Sequence, residues 1–185
     1  MRQRRIVQWV VVGVLVVAAV IVVGWRLTGG TPPVQADITF TIALDADQRT
    51  RVAYNVGGYP TTFLVDEEGV IRGMRPGAFV NEAALLAWLG DITASEATSP
   101  SSEVAPRIGY AAPEFALPTL EGGMVVLSEL RGKWVLINFW TTWCYYCVRQ
   151  QPYLQAAFEE RGGEVEFIGI NVGESEATVR RHIGG

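Results

Sequence analysis

Residues Trp134 to Cys147 read WVLINFWTTWCYYC. The first seven, Trp134–Trp140, are almost continuously apolar, the mark of a strand buried on both faces. Two cysteines follow at once, Cys144 and Cys147, where a helix is predicted to run from about Cys144 to Arg161. In the first turn of a helix, residues i and i+3 lie side by side, so the two sulfurs can reach bonding distance without bending the backbone. The first cysteine sits where unpaired N–H groups and the helix dipole favour negative charge, which lowers a thiol pKa. The second lies deeper in the helix and is more shielded. The expected chemistry is asymmetric: Cys144 attacks a disulfide and Cys147 resolves the mixed disulfide. A static disulfide or two buried thiols would share the same spacing. A zinc site would lack ligands, because His182 is the one histidine and no second CxxC exists.

Working outward, Pro152 falls inside the predicted helix and should kink it. Val165–Val172 (VEFIGINV) reads as a second buried strand, and Ser175–Ile183 as a helix. Upstream, Ala112–Leu127 holds short extended pieces. A separate block, residues 37–92, opens with a predicted strand at Phe40–Asp45 and a short helix over Gln48–Asn55. Thr61–Asp66 and Val70–Arg75 make a hairpin around the turn Glu67–Gly69. Asn81 can cap a helix through Leu89, stopped by Gly90. Between the blocks, Thr93–Gly109 (TASEATSPSSEVAPRIG) reads as a flexible linker. Asp45, Asp47, Asp66, Glu67 and Glu68 are expected on turns and solvated faces. His182 is expected to complement the dipole of its helix.

Residues 6–25 are apolar except for Gln8 and two glycines. Twenty residues at ~1.5 Å each span roughly 30 Å, the hydrocarbon thickness of a bilayer. Arg2, Arg4 and Arg5 precede the run, so the positive-inside bias puts the N-terminus in the cytoplasm and the rest outside. Residues 1–26 are therefore read as a single-pass cell-membrane anchor and residues 27–36 as a spacer. A cleaved signal peptide is the rival, with Val34–Ala36 resembling a cleavage site. Either reading exports the domain to a compartment where disulfides form.

Composition bounds the remaining choices. The 185 residues are 49% apolar and 18% charged, which excludes a disordered chain. Of 15 basic residues, Arg2, Arg4, Arg5 and Arg26 lie at the N-terminus, so the rest of the chain is strongly acidic. That argues against nucleic acid as a partner.

The stretch Ala112–Val172 resembles the membrane-anchored thioredoxin-like proteins of the TlpA/ResA type. The matching residues are APEFALPTLEGGMVVLSELRGKWVLINFWTTWCYYC, then Pro152, then FIGINVGES. The family would continue past Gly185 with elements that instead resemble an upstream stretch. That stretch is ITFTIALDADQRTRVAYNVGGYPTTFLVDEEGVIRG (Ile38–Gly73), with the Asn81–Leu89 helix. The resemblance thus implies an α/β thioredoxin-like fold, a central mixed sheet flanked by helices, circularly permuted behind a transmembrane helix. Residues 37–92 would be its C-terminal half, 93–109 the linker, and 110–185 the N-terminal half carrying the CxxC. A swapped dimer is the rival arrangement.

By the same resemblance, Cys144 and Cys147 are the catalytic pair. Tyr59–Pro60 is a cis-proline loop facing them, and Tyr59, Pro60 and Trp143 contact substrate. No cofactor and no metal are implied. The implied activity is an extracytoplasmic thiol–disulfide oxidoreductase reducing disulfide-containing exported proteins such as apocytochromes c, supplied by a membrane electron donor. Three departures bear on this. Tyr145-Tyr146 replaces a dipeptide that often ends in Pro, and an oxidising or isomerising role becomes the nearest variant. Gln150 stands where many relatives have Glu, and Asn138 where thioredoxins have a buried Asp. The two tyrosines are either a docking surface or exposed filler.

Other classes fit less well. A peroxiredoxin wants P-x-x-x-T-x-x-C; Thr141 matches but Ile137 replaces the proline. Copper carriers on this fold use CxxxC with a distant His. A binding domain with an inert disulfide also remains.

Overall fold

A computed structural model describes residues 37–94 and 101–183. Five strands form one mixed sheet: β1 (Thr41–Asp45), β2 (Thr61–Val65), β3 (Ile71–Pro76), β8 (Trp134–Trp140) and β9 (Val165–Val172). Their spatial order is β1-β9-β8-β2-β3. β1, β9 and β8 run parallel; β2 is antiparallel to β8, and β3 to β2. Residues 37–93 therefore supply three strands of the sheet and residues 110–183 the central two. Four helices accompany it: α1 (Arg49–Ala53), α2 (Glu82–Thr93), α3 (Tyr145–Arg161) and α4 (Glu176–Ile183). Short pairs β4 (Ser101–Val104) with β5 (Tyr110–Ala111), and β6 (Ala116–Pro118) with β7 (Met124–Val126), lie outside the main sheet.

The period of two along each strand divides the core. From β8, Leu136 and Trp140 join a cluster with Leu85 and Leu89 of α2, Leu154 of α3 and Val179 of α4. Its alternate residues Val135, Ile137 and Phe139 join a second cluster with Tyr54, Phe115 and Leu127. β9 alternates in the same way, with Phe167 in the first cluster and Ile168 and Ile170 in the second. This double burial is why both strands are apolar along most of their length. Gly169 stands in β9 for a reason: a Cβ there would meet Ile42 at 2.8 Å and Trp140 Nε1 at 3.2 Å. Inside α3, Pro152 offers no N–H to the carbonyl of Val148 one turn back, yet the helix runs to Arg161.

Three expectations need correction. α2 does not stop at Gly90 but reaches Thr93, whose hydroxyl donates to the Leu89 carbonyl at 3.0 Å. A glycine costs about 1 kcal/mol in a helix, and packing of Leu89 and Ile92 against the core offsets it. The linker is ordered over residues 101–109: Ser101 and Val104 pair with Tyr110 and Ala111, and Gly109 N donates to Ile71 O at 2.8 Å. Asp45 and Asp66 are buried, not solvated. Asp45 accepts from the N–H groups of Thr50 and Arg51 at the start of α1. Asp66 accepts from Glu68 N and Val70 N across the turn and pairs with the Arg72 guanidinium. His182 lies in the last turn of α4, half-buried against Trp140 and Gln151. No described helix is long and apolar enough to cross a membrane; the expected anchor, residues 6–25, lies outside the described residues.

Asp66 should thus be structural. Replacing it by Ala strips the largely covered Arg72 of this carboxylate and takes the acceptor from the buried Val70 N–H and from Glu68 N. The expected cost is about 3 kcal/mol in urea unfolding.

Candidate functional site

β8 ends at Trp140, where Thr141 and Thr142 break the apolar run, and the chain delivers Thr141–Cys144 to the start of α3. Cys144 is the N-cap residue of α3 and is disulfide-bonded to Cys147, with the Cα atoms 5.2 Å apart. Its Sγ accepts from the N–H of Cys147 at 3.2 Å. One of the unpaired donors at a helix start is therefore spent on the sulfur of the first cysteine. Cys144 is 7% exposed and Cys147 1%. Attack from outside meets Cys144 first.

The other half of the chain closes the site. The Tyr59–Pro60 peptide bond is cis. The Pro60 carbonyl accepts from Gly77 N at 2.8 Å, and Thr61 Oγ1 donates to the Gly58 carbonyl at 2.8 Å. Tyr59 packs against the core cluster that contains both cysteines. Its ring meets Trp143 edge-on with centroids 5.9 Å apart, and Trp143 is 71% exposed. Burial pushes the Tyr59 phenol above its ordinary range; the nearby Arg51 opposes the shift and Asp45 adds to it. Thus Cys144, Cys147, Trp143 and Tyr59 come together, with Pro60 joined to Tyr59 by the cis bond and tied to Gly77.

Beside the pair lies a groove of about 660 Å³. The Gly77–Val80 loop forms one wall; Tyr145, Tyr146, Arg149 and Tyr153 of α3 form the other. Tyr145 and Tyr146 are more than half exposed, and their rings touch edge-on at 5.4 Å. Arg149 Nη1 donates to the Tyr145 hydroxyl at 2.9 Å. Gln150 also lines the groove although its side chain is buried. Its Oε1 accepts from Phe79 N at 2.8 Å, and its Nε2 has no partner. Asn138 is committed elsewhere, donating through Nδ2 to Thr62 Oγ1 at 2.9 Å across the β8–β2 pair.

Two features escaped the sequence reading. The Gly77–Phe79 loop joins Pro60 to α3, and its one buried residue, the apolar Phe79, is the signal that could have flagged it. Glu174 accepts from Thr142 N at 2.7 Å, from Thr142 Oγ1 at 2.6 Å and from Asn171 Nδ2 at 2.7 Å. It lies in the quoted stretch FIGINVGES beside one partner, Asn171, but the loop it holds is 32 residues away at Thr142. Among the described residues, no group of three or more His, Cys, Asp or Glu is placed to hold a metal ion.

With this geometry in hand, comparison with known proteins is informative. Residues 108–183 match the AhpC/TSA family. The thiol-disulfide oxidoreductase ResA of Geobacillus thermodenitrificans (strain NG80-2) is 39% identical over 84 residues, 44% of this chain and 47% of the relative. ResA of Halalkalibacterium halodurans is 41% identical over 80 residues, 42% of this chain and 44% of the relative. ResA of Bacillus subtilis (strain 168) is 40% identical over 72 residues, 38% and 40% respectively. The chain spans less than half the length of these relatives. The similarities agree with a thioredoxin-like fold.

Near the site, desolvation holds the His182 imidazole below its ordinary 6.5, and the charge of Glu174 partly opposes this. Above pH 6.5 the ring is neutral folded or unfolded. As pH falls from 6.5 through the lower folded value, the unfolded chain takes its proton first and stability is lost. The expected result is a melting temperature that drops more between pH 7.5 and 5.0 in the native chain than in His182→Gln.

Proposed function

We propose that the chain is a thiol–disulfide oxidoreductase in which Cys144 attacks and Cys147 resolves. The observation that carries this is the Cys144–Cys147 pair at the start of α3, with the Cys147 N–H on the Cys144 sulfur and the Tyr59–Pro60 loop alongside. In the reducing direction, the Cys144 thiolate attacks one sulfur of a substrate disulfide. That S–S bond breaks, and the departing substrate thiolate takes a proton from water. The Cys147 thiolate then attacks Cys144 Sγ and releases the second substrate thiol. Two electrons and two protons have moved to the substrate, and the protein is left with the disulfide seen here. Trp143, Tyr59 and the cis bond before Pro60 would receive the substrate segment, with the tyrosine-lined groove beside them.

The finer reading rests on the sequence. Residues 6–25 would anchor the chain in the cell membrane with its N-terminus in the cytoplasm and the catalytic domain outside. Its substrates would be disulfide-containing exported proteins, apocytochromes c among them, and a membrane electron donor would restore the dithiol. The order of the two halves would be a circular permutation within one chain. Support for this comes from β1, β2 and β3, encoded first, flanking the β8–β9 pair of the half that matches AhpC/TSA.

A redox titration of the purified chain in thiol/disulfide buffers, read by alkylation of both cysteines, tests the reading. A reversible two-electron transition below about −230 mV means a reductase; one near −120 to −180 mV means an oxidant or isomerase. Cys147→Ser should trap a mixed disulfide with a protein substrate, and Cys144→Ser should trap none. A pair that never titrates would mean an inert disulfide.

A further inference from the structure

We infer that Glu174 is a positioning residue for the nucleophile, its carboxylate holding the Thr141–Cys144 loop through both donors of Thr142. The inference rests on the oxidoreductase reading and deepens it.

Glu174 sits between β9 and α4, at the end of the strand next to β8. Asn171, itself buried, donates Nδ2 to one carboxylate oxygen at 2.7 Å and so fixes that oxygen to the end of β9. The same oxygen takes the Thr142 N–H, also at 2.7 Å, and the other oxygen takes the Thr142 hydroxyl at 2.6 Å. Three donors thus converge on one half-buried carboxylate. Charge-assisted bonds of this length are about twice as strong as neutral ones.

Thr142 stands two residues before Cys144 and one before Trp143. Cys144 N donates to Thr141 O at a long 3.4 Å, so the loop's own backbone holds it weakly. The register of Trp140 opposite Asn171 brings the two strand ends level, and Glu174 then bridges the chains beyond that pair. A loop that aims a nucleophile needs such a tie, because a misplacement of about 1 Å can cost 100-fold in rate. The helix N-terminus can favour a thiolate at Cys144 only while Cys144 stays at the N-cap. Glu174 touches neither sulfur; it acts through Thr142.

A carboxamide tests positioning against charge. Gln at 174 can accept from Thr142 N and Asn171 and can donate to a reversed Thr142 hydroxyl, so it keeps the geometry without the charge. The full purified chain is reduced, and Cys144 labelling by iodoacetamide at pH 7 is followed by mass spectrometry, with thermal melts in parallel. Glu174→Ala should slow labelling of folded protein about tenfold, and Glu174→Gln should restore it to within about twofold. Thr142→Val, which loses only the hydroxyl bond, should slow it about threefold and serves if Glu174→Ala does not fold. Native labelling rates in folded Glu174→Ala, or in Thr142→Val, would overturn the assignment and leave a simple structural tie. A native Cys144 that never labels after reduction would overturn the oxidoreductase reading, and this one with it.

Discussion

The antiparallel pairing of β2 with β8 is the constraint on which the site depends. In its register Thr61 lies opposite Phe139, Thr62 opposite Asn138 and Phe63 opposite Ile137. Strand β8 runs toward the cysteines, and β2 runs away from the Tyr59–Pro60 loop. Pairing them antiparallel therefore puts the end of one and the start of the other at the same edge of the sheet. A slip of one residue would send Phe63 and Leu64 to the wrong cores, which burial on both faces forbids. The buried Asn138–Thr62 hydrogen bond pins the same register with a polar pair. Two further ties then close the site: Gly77 N to the Pro60 carbonyl, and Phe79 N to Gln150 of α3. The two halves of the chain meet at the thiols because the sheet leaves them no other arrangement.

What the sequence made legible follows from how local each cause is. β8 and β9 could be read to the residue, because burial on both faces writes itself as an apolar run. The cysteine pair was legible because i, i+3 spacing at a helix start is a matter of a single turn. The burial of Asp45 and Asp66 was not, since an acidic residue beside a turn normally faces water. Here Asp45 caps α1 and Asp66 serves a turn and Arg72, and those partners are revealed only by folding. Residues 101–109 have the composition of a linker, and their order comes from pairing with Tyr110–Ala111 and Ile71. Glu174 was illegible for the same reason: two of its three donors belong to Thr142, 32 residues away in the sequence.

The chemistry of the pair is set by dipoles more than by ionised neighbours. The side chains that stand where an acid might flank the thiols, Gln150 and Asn138, are neutral amides, and each is spent on a bond to the other half of the chain. Neither can act as a proton acceptor for Cys147. What supports a thiolate at Cys144 is the start of α3, through the N–H of Cys147. That support does not titrate. It depends on where the sulfur sits relative to the first turn, which makes the loop before Cys144 the sensitive part of the site. The Glu174 carboxylate is bonded to that loop through Thr142. A negative charge beside the thiols would oppose the thiolate, whereas one removed by two residues can hold the backbone with less of that penalty. Proton traffic at Cys147 must then pass through water or a tyrosine hydroxyl, and Tyr145, Tyr146 and Tyr153 of the neighbouring groove are the tyrosines α3 supplies.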